Sequence, residues 1–514
     1  MHLVSLFQKI LSTAILSFTA STVYCAKNIP IHEDKTSLPS IAHYAYSLLA
    51  PSKEGGVLIY ARIVFDSIDV ACPLLTGSDH SKVVTQKRPF TPGAPLPNIN
   101  FPVTVCEAVI AENTAYQGDS GDIDLAAVTL SPSEIQVYGD SGCESESHCQ
   151  GTQSSPYFEL LAKEGAKRKA DLILHMGDYN YRGTAGFITE TTDAKGDKHK
   201  IWAYDAGDGT PRDRGCGLTS TYYSQNASNS PRPDNWQSWR YDFFEPTKEL
   251  LPKAPWVFAR GNHELCSRGG PAWFYFMGPG SSLKGGVART QCPDQGDFNN
   301  PPTNATHRIV LLPPYRLDLH PVQLWIMDSA NACDGYADNA LTTQYRDQYE
   351  QINKSSTNKM AWIVTHRPLW GFVEADFPTL NQTLQAALSK TTAGQLPASV
   401  DLLLAGHLHL FESLTSLGES PLPPQLIVGN SGVRLEAQPS QNDFSITVDG
   451  HSIQGHALRQ YGFLHISLDN DGAWQGKMFG LGNATILTCD SGNPENEKTL
   501  CEIASSAAQK PKQP

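Results

Sequence analysis

Beyond its first 26 residues the chain has no uninterrupted apolar stretch near the about 18 residues that a membrane-crossing helix needs. No helical membrane span is therefore expected in the processed protein. It is also short of positive charge: 39 Lys and Arg face 52 Asp and Glu, a net charge of −13. That balance argues against binding nucleic acid as a scaffold, which needs an excess of cationic side chains to displace counterions. No cysteines stand in C-x-x-C pairs, so a structural zinc site is not expected. A Walker loop, a nucleophile elbow and a dinucleotide fingerprint are all missing.

What is present describes a folded protein with many turns. The 514 residues are 40% hydrophobic and 18% charged, which excludes a disordered chain, and the length exceeds one small core. Gly 41 and Pro 35 argue against a helical bundle. His2 and Lys9 precede an uncharged, Ser/Thr-rich apolar stretch from Ile10 to Tyr24. This reads as a secretory signal over residues 1–26, cleaved after Cys25 or Ala26, for a secreted or periplasmic protein. Removing Cys25 leaves ten of the 11 cysteines, an even number that suits disulfides in an oxidising compartment. Short-range pairing suggests Cys72–Cys106, Cys143–Cys149, Cys266–Cys292 and Cys489–Cys501, with Cys216 and Cys333 left for each other.

Residues 27–132 carry short β-branched runs, such as Val57–Phe65 and Phe101–Cys106, around a Pro-rich stretch. They are expected to form an N-terminal all-β domain without chemistry of its own. From residue 133 the rhythm changes to strands followed by helices. Ser155-Pro156 opens a helix, and a second is expected near Thr342–Asn353. Residues 133–488 are assigned to a catalytic domain and 489–514 to a disulfide loop and tail. The segment from Phe187 to Asp242 shows no strong periodicity and is expected as a loop or lid.

Several apolar strands end directly in turns that can bind a metal. The blocks are Gly-Asp-Ser-Gly (139–142), Gly-Asp-Tyr-Asn-Tyr (177–181), Gly-Asn-His-Glu (261–264), Ile-Val-Thr-His (363–366) and Gly-His-Leu-His (406–409). Each alone is weak, since Gly and Asp fill turns everywhere. Together they place oxygen donors and imidazoles beyond the carboxyl ends of strands, where sites in α/β sheets form. The mixture suits a pair of borderline metals better than a calcium cage.

These blocks, in type and order, resemble those of the calcineurin-like metallophosphoesterases, and within them the purple acid phosphatases. The resemblance covers roughly residues 133–470. It implies an α/β fold, a β-sandwich flanked by helices, behind the N-terminal all-β domain. Most of the family carries a histidine two residues after the first Asp; here that position is Gly142. The purple phosphatases instead supply a tyrosinate three residues after the second Asp, and Tyr181 stands there. The resemblance implies that Asp140, Tyr181 and His409 hold Fe³⁺. It also implies that Asn262, His366 and His407 hold Zn²⁺, Mn²⁺ or Fe²⁺, with Asp178 bridging. His263 becomes the proton donor to the leaving group, with His175 and His456 as weaker rivals. Asn262, His263, Arg182 and Arg367 become candidate substrate contacts, although either arginine could equally be a structural ion pair.

The expected activity is hydrolysis of a small phosphate ester by metal-bound hydroxide, an acid-phosphatase-like monoesterase. A phosphodiesterase of the same fold, or an exported binding protein with a decayed site, is the alternative. No protein partner is readable. The sequons at Asn226, Asn304, Asn353, Asn381 and Asn483 matter only in a glycosylating source.

Overall fold

The computed structural model describes residues 43–89, 101–143, 155–181, 187–192, 198–205, 211–213, 235–265, 269–292, 310–357, 359–373, 377–417, 422–436, 442–448, 451–491 and 501–503. The expected signal, Arg182, Cys149, Cys216, Cys266, Asn226 and Asn304 lie outside them. Among the described residues no helix is long and apolar enough to cross a membrane.

Two mixed sheets form the frame. The first has 11 strands and includes β1 (His43–Pro51), β2 (Val57–Phe65), β3 (Glu134–Tyr138), β4 (Leu172–His175) and β5 (Trp256–Phe258). The second has eight and includes β6 (Gln323–Ile326), β7 (Ala361–Val364), β8 (Val400–Ala405), β9 (Phe411–Leu417) and β10 (Gln425–Val428). Strands β3, β4 and β5 run parallel, as do β6, β7, β8 and β10.

Strand alternation sorts each side chain into one of three cores. Leu172 and Leu174 of β4, Val257 of β5, Trp362 and Val364 of β7, and Leu402 and Leu404 of β8 share the core between the sheets. The intervening Ile173, Trp256 and Phe258 face outward onto an aromatic layer with Phe158, Trp239 and Phe243. On the far side Trp325, Ile363 and Leu403 pack against Tyr345, Tyr349 and Leu384. The helices supplying these layers are α1 (Pro156–Ala166), α2 (Asn339–Ser355) and α3 (Gln382–Ser389). The result is the expected β-sandwich flanked by helices.

Ser155 caps α1 as expected, accepting from the Phe158 N–H with Pro156 at the first helical position. Helix α2 starts at Asn339, three residues before the expected Thr342, with Asp338 capping it through the Leu341 N–H. Within the segment expected as a loop or lid, Phe187–Thr192 and Lys198–Asp205 pair antiparallel, with Pro211–Asp213 on the edge. Phe-Ile-Thr-Glu-Thr-Thr is rich in β-branched residues, a strand signal that the reading of this segment as a loop passed over.

The N-terminal β-rich region continues into the catalytic sheet: β1 joins β5 through the Leu48–Trp256 pair, and residues 41–514 form one compact unit. Its attachment is reinforced by an ion cluster. Glu107 accepts from Arg88 at 2.8 Å and from Arg62 at 3.4 Å, and all three are buried. The two guanidiniums also donate to the carbonyls of Phe274, Tyr275, Phe276, Gly278 and Gly280. Several of these are end-of-helix acceptors that the helix Gly270–Phe276 cannot satisfy itself. Burial pushes the Glu107 carboxyl up, but Arg88 and Arg62 outweigh it and hold it below the usual range.

Cys72–Cys106 and Cys489–Cys501 are bonded as expected, the latter extending the first sheet at its edge. Cys143, Cys292 and Cys333 are disulfide-bonded too. Removing Glu107 would leave two buried cations without their counter-charge. Glu107→Ala should cost about 3–5 kcal/mol of stability, the range for breaking a buried ion cluster. Urea unfolding of the two proteins measures it.

Candidate metal centre

Each candidate ligand lies just beyond the end of a parallel strand or in the turn that follows it. Asp140 follows β3, Asp178 follows β4, Asn262 and His263 follow β5, His366 follows β7, and His407 and His409 follow β8. Because β3–β5 and β7–β8 lie in opposing sheets, these turns meet across the open end of the sandwich. Asp140, Asp178 and His407 have φ of 54°, 57° and 75°, in the left-handed region that side chains rarely adopt. Such strain costs of the order of 1–3 kcal/mol per residue and survives only where surroundings impose it. Here they do. The Asp140 N–H donates to the Gly177 carbonyl, and the Ser141 N–H to the Asp178 carbonyl, each at 3.0 Å. The His407 N–H donates to Asp140 Oδ2 at 2.8 Å, and the His263 N–H to Asp178 Oδ1 at 2.7 Å.

The donors converge. The Tyr181 hydroxyl lies 2.6 Å from Asp140 Oδ1, 3.2 Å from Asp178 Oδ2 and 3.2 Å from His409 Nε2. His366 Nε2 lies 3.3 Å from Asp178 Oδ2 and 2.9 Å from Asn262 Oδ1. Donor atoms of Asp178, His366 and His407 all fall within 4.8 Å of one another. The His263 ring packs on Tyr181 with centroids 4.2 Å apart, its Nε2 3.9 Å from Asp178 Oδ2.

The electrostatics of this cluster are those of a site that wants cations. Burial, and the Asp178 carboxylate beside it, push the Asp140 carboxyl far above the usual range. Burial together with Asp140 and Asp178 pushes the Tyr181 phenol up. Asp178 goes the other way: burial raises it, but His366 and His263 outweigh burial and hold it well below. Buried oxygens crowded at hydrogen-bond distance, with imidazoles around them, fit a pair of metal ions by donor chemistry and charge.

The imidazoles are oriented from behind. His366 Nδ1–H donates to the Met176 carbonyl at 2.7 Å, leaving the Nε2 lone pair toward the cluster. His407 Nε2 lies 2.9 Å from Asp334 Oδ2, and the Arg367 guanidinium is ion-paired to the same carboxylate. Glu436 holds His409 by its backbone, accepting from the main-chain N–H at 3.3 Å. Arg367 is therefore in the ion-pair arrangement that the sequence left open. Glu264 ties two blocks together, accepting from the N–H groups of Gly261, Asp178, Tyr179 and Asn180. Burial, then Asp178, push its carboxyl up to about 8.

Sequence reasoning missed Glu264's clasp, although Glu264 stands inside a recognised block. It missed Asp334 and Glu436 because neither belongs to a block and only the tertiary fold brings them near.

Of the rival histidines, His175 is wholly buried. Its Nδ1 accepts from the Gly177 N–H and its Nε2 lies 3.0 Å from Ser141 Oγ, so both nitrogens are engaged inside the fold. His456 is bound to Asp443 at 2.7 Å, on the strand pair His451–Leu458 and Asp443–Val448. Gly142 has φ 115°, and a Cβ there would fall 2.7 Å from the Tyr179 carbonyl and 3.3 Å from Tyr181 Cδ2. A side chain at 142 would therefore clash with the Tyr179 backbone and press on the Tyr181 ring.

Residues 135–411 match the family model of the calcineurin-like phosphoesterases. This chain belongs to that family, and so is a metal-dependent phosphoester hydrolase by class. No curated protein matches it significantly. Among solved structures it is similar to a purple acid phosphatase isolated from yellow lupin (Lupinus luteus) seeds. Identity is 14% and the TM-score 0.46, over 87% of this chain and 73% of that one.

Burial holds the His175 pKa down at about 3, against an ordinary value of 6.5. A histidine depressed on folding takes up a proton on unfolding. Its contribution is therefore intact above about 6.5 and lost as pH falls toward about 3, at about 1.4 kcal/mol per unit. Denaturant titrations across this window should show a shallower fall for His175→Gln than for the parent, from a lower starting stability.

Proposed function

We propose that the chain is an exported purple-acid-phosphatase-type enzyme, an acid-phosphatase-like hydrolase of phosphate monoesters with two resident metal ions. The observation that carries this reading is the Tyr181 hydroxyl, within 3.2 Å of Asp140, Asp178 and His409 together. Asp140, Tyr181 and His409 form a hard, oxygen-rich set suited to Fe³⁺. Asn262, His366 and His407 offer two imidazoles and a neutral amide, suited to Zn²⁺, Mn²⁺ or Fe²⁺, with Asp178 between the two sets. The Gly142 backbone supports the same choice, since it leaves room for the phenol. Every described cysteine is disulfide-bonded, which supports an oxidising compartment and hence export.

When bound, the two cations neutralise phosphate oxygens and lower the pKa of water. The chain's own residues do the rest. Asn262 and His263 present an amide and an imidazole at one rim of the cluster. Asp178 fixes the His263 backbone, and the Tyr181 ring supports its imidazole. In this reading His263 contacts the phosphate and gives the departing alkoxide its proton. Arg367 serves the site through Asp334, and Arg182 stays a candidate substrate contact. A phosphodiesterase uses the same groups, so the substrate test separates the two.

Purified protein, with iron and the divalent metal quantified, should hydrolyse aryl phosphate monoesters faster than diesters at acidic pH. A preference for diesters would select the phosphodiesterase reading. Protein that takes up neither metal would select the decayed-site reading. Tyr181→Phe should lose the visible absorption of a ferric tyrosinate. His263→Ala should slow turnover of poor leaving groups by about 10²–10⁴-fold, the range for general acid catalysis, and activated aryl esters far less.

A further inference from the structure

We propose that Asp334 is a positioning residue that sets how tightly the centre holds its second, divalent cation, by fixing the tautomer and orientation of His407. The inference rests on the two-metal reading above and goes beyond its ligand set.

The argument begins with the acceptor. Two groups meet His407 Nε2 at 2.9 Å: Asp334 Oδ2, which only accepts, and Arg367 Nη1, which only donates. Arg367 is itself ion-paired to Asp334, so both N–H groups turn to that carboxylate and the ring proton sits on Nε2. That leaves the lone pair of His407 on Nδ1, the nitrogen Asp334 does not engage. The other imidazoles are held differently. His366 leans on a backbone carbonyl, which no side-chain substitution removes. His409 Nδ1 stands 3.9 Å from Glu436, beyond hydrogen-bond reach. Among these three, His407 is the one held at hydrogen-bond distance by a side-chain carboxylate from outside the assigned ligand set.

Asp334 is itself built to stay in place. Asn381 Nδ2 donates to its Oδ1 at 2.8 Å, while Asn381 Oδ1 caps α3 by accepting from the Leu384 N–H at 2.9 Å. The Gln382 N–H donates to the Asp334 carbonyl at 3.0 Å. The Arg367 guanidinium supplies the counter-charge from the residue next to His366. A half-buried, doubly anchored carboxylate therefore ties His407 to Arg367, the residue next to His366, on the divalent side of the cluster.

The test uses the full-length processed protein and two variants, Asp334→Ala and Asp334→Asn. The asparagine is nearly isosteric and keeps an acceptor oxygen, so it guards against a folding failure of the alanine protein. Zn²⁺ affinity is read by chelator competition, and iron content and visible absorption are read in parallel. Expected is a Zn²⁺ affinity lower by about tenfold to a hundredfold in Asp334→Ala, the usual effect of losing a ligand's outer partner, and a smaller loss in Asp334→Asn. Iron content and colour should not change. Unchanged Zn²⁺ affinity in both variants would overturn the inference. So would loss of iron and zinc in equal proportion, which marks a merely structural role. A parent protein that takes up only one cation would overturn the inference and the two-metal reading together.

Discussion

The oxygens of Asp140, Asp178 and Tyr181 are packed side by side beneath the protein surface, the phenol 2.6 Å from one carboxylate and 3.2 Å from the other. Placing them there is unfavourable, and the surrounding structure is organised around holding that arrangement. The loops carrying the two aspartates bond to each other through backbone groups. Glu264 gathers the amides of a third loop with them. The loop after β10 closes from the other side, where Ser431 Oγ accepts from the Gly139 N–H and the Val433 N–H donates to the Asp140 carbonyl. Backbone conformations that would relax elsewhere are thus over-determined here.

The supporting layers are correspondingly stiff. Tyr179, in the same turn as Asp178, stacks on His175 with centroids 4.1 Å apart and meets Phe243 edge-on. Phe243 lies on a π-helical turn, Arg240–Phe244, which sets its ring among Phe158, Trp256 and Phe258. Rings packed in this way have low compressibility, so a displacement of one is resisted by its neighbours. Rigidity at the site therefore comes from packing two layers deep as well as from the hydrogen bonds at its rim.

What could be read in the sequence was local. A strand such as Leu402–Ala405 followed by Gly-His-Leu-His carries its own signal, because the apolar run, the turn and the donors are contiguous. The convergence of five such turns could be inferred because they share one position relative to their strands. Asp334 and Glu436 gave no comparable signal, since their partners lie 73 and 27 residues away and only chain topology brings them together. The N-terminal strands show an intermediate case. Val57–Phe65 is apolar almost throughout, the pattern of a strand covered on both faces. That pattern fits a strand inside a large sheet better than one in a small separate domain, even with Arg62 in its middle. Arg62 is tolerated there because Glu107 and two carbonyls receive it.

The crowding at Gly142 bears on how such a centre could change its ligands. A Cβ at 142 would meet the Tyr179 carbonyl at 2.7 Å and Tyr181 Cδ2 at 3.3 Å, in a backbone of φ 115°. A donor brought in at that position therefore requires the turn itself to shift first. The turn is a committed one: with the Tyr181 ring seated, its own backbone leaves position 142 no room for a side chain.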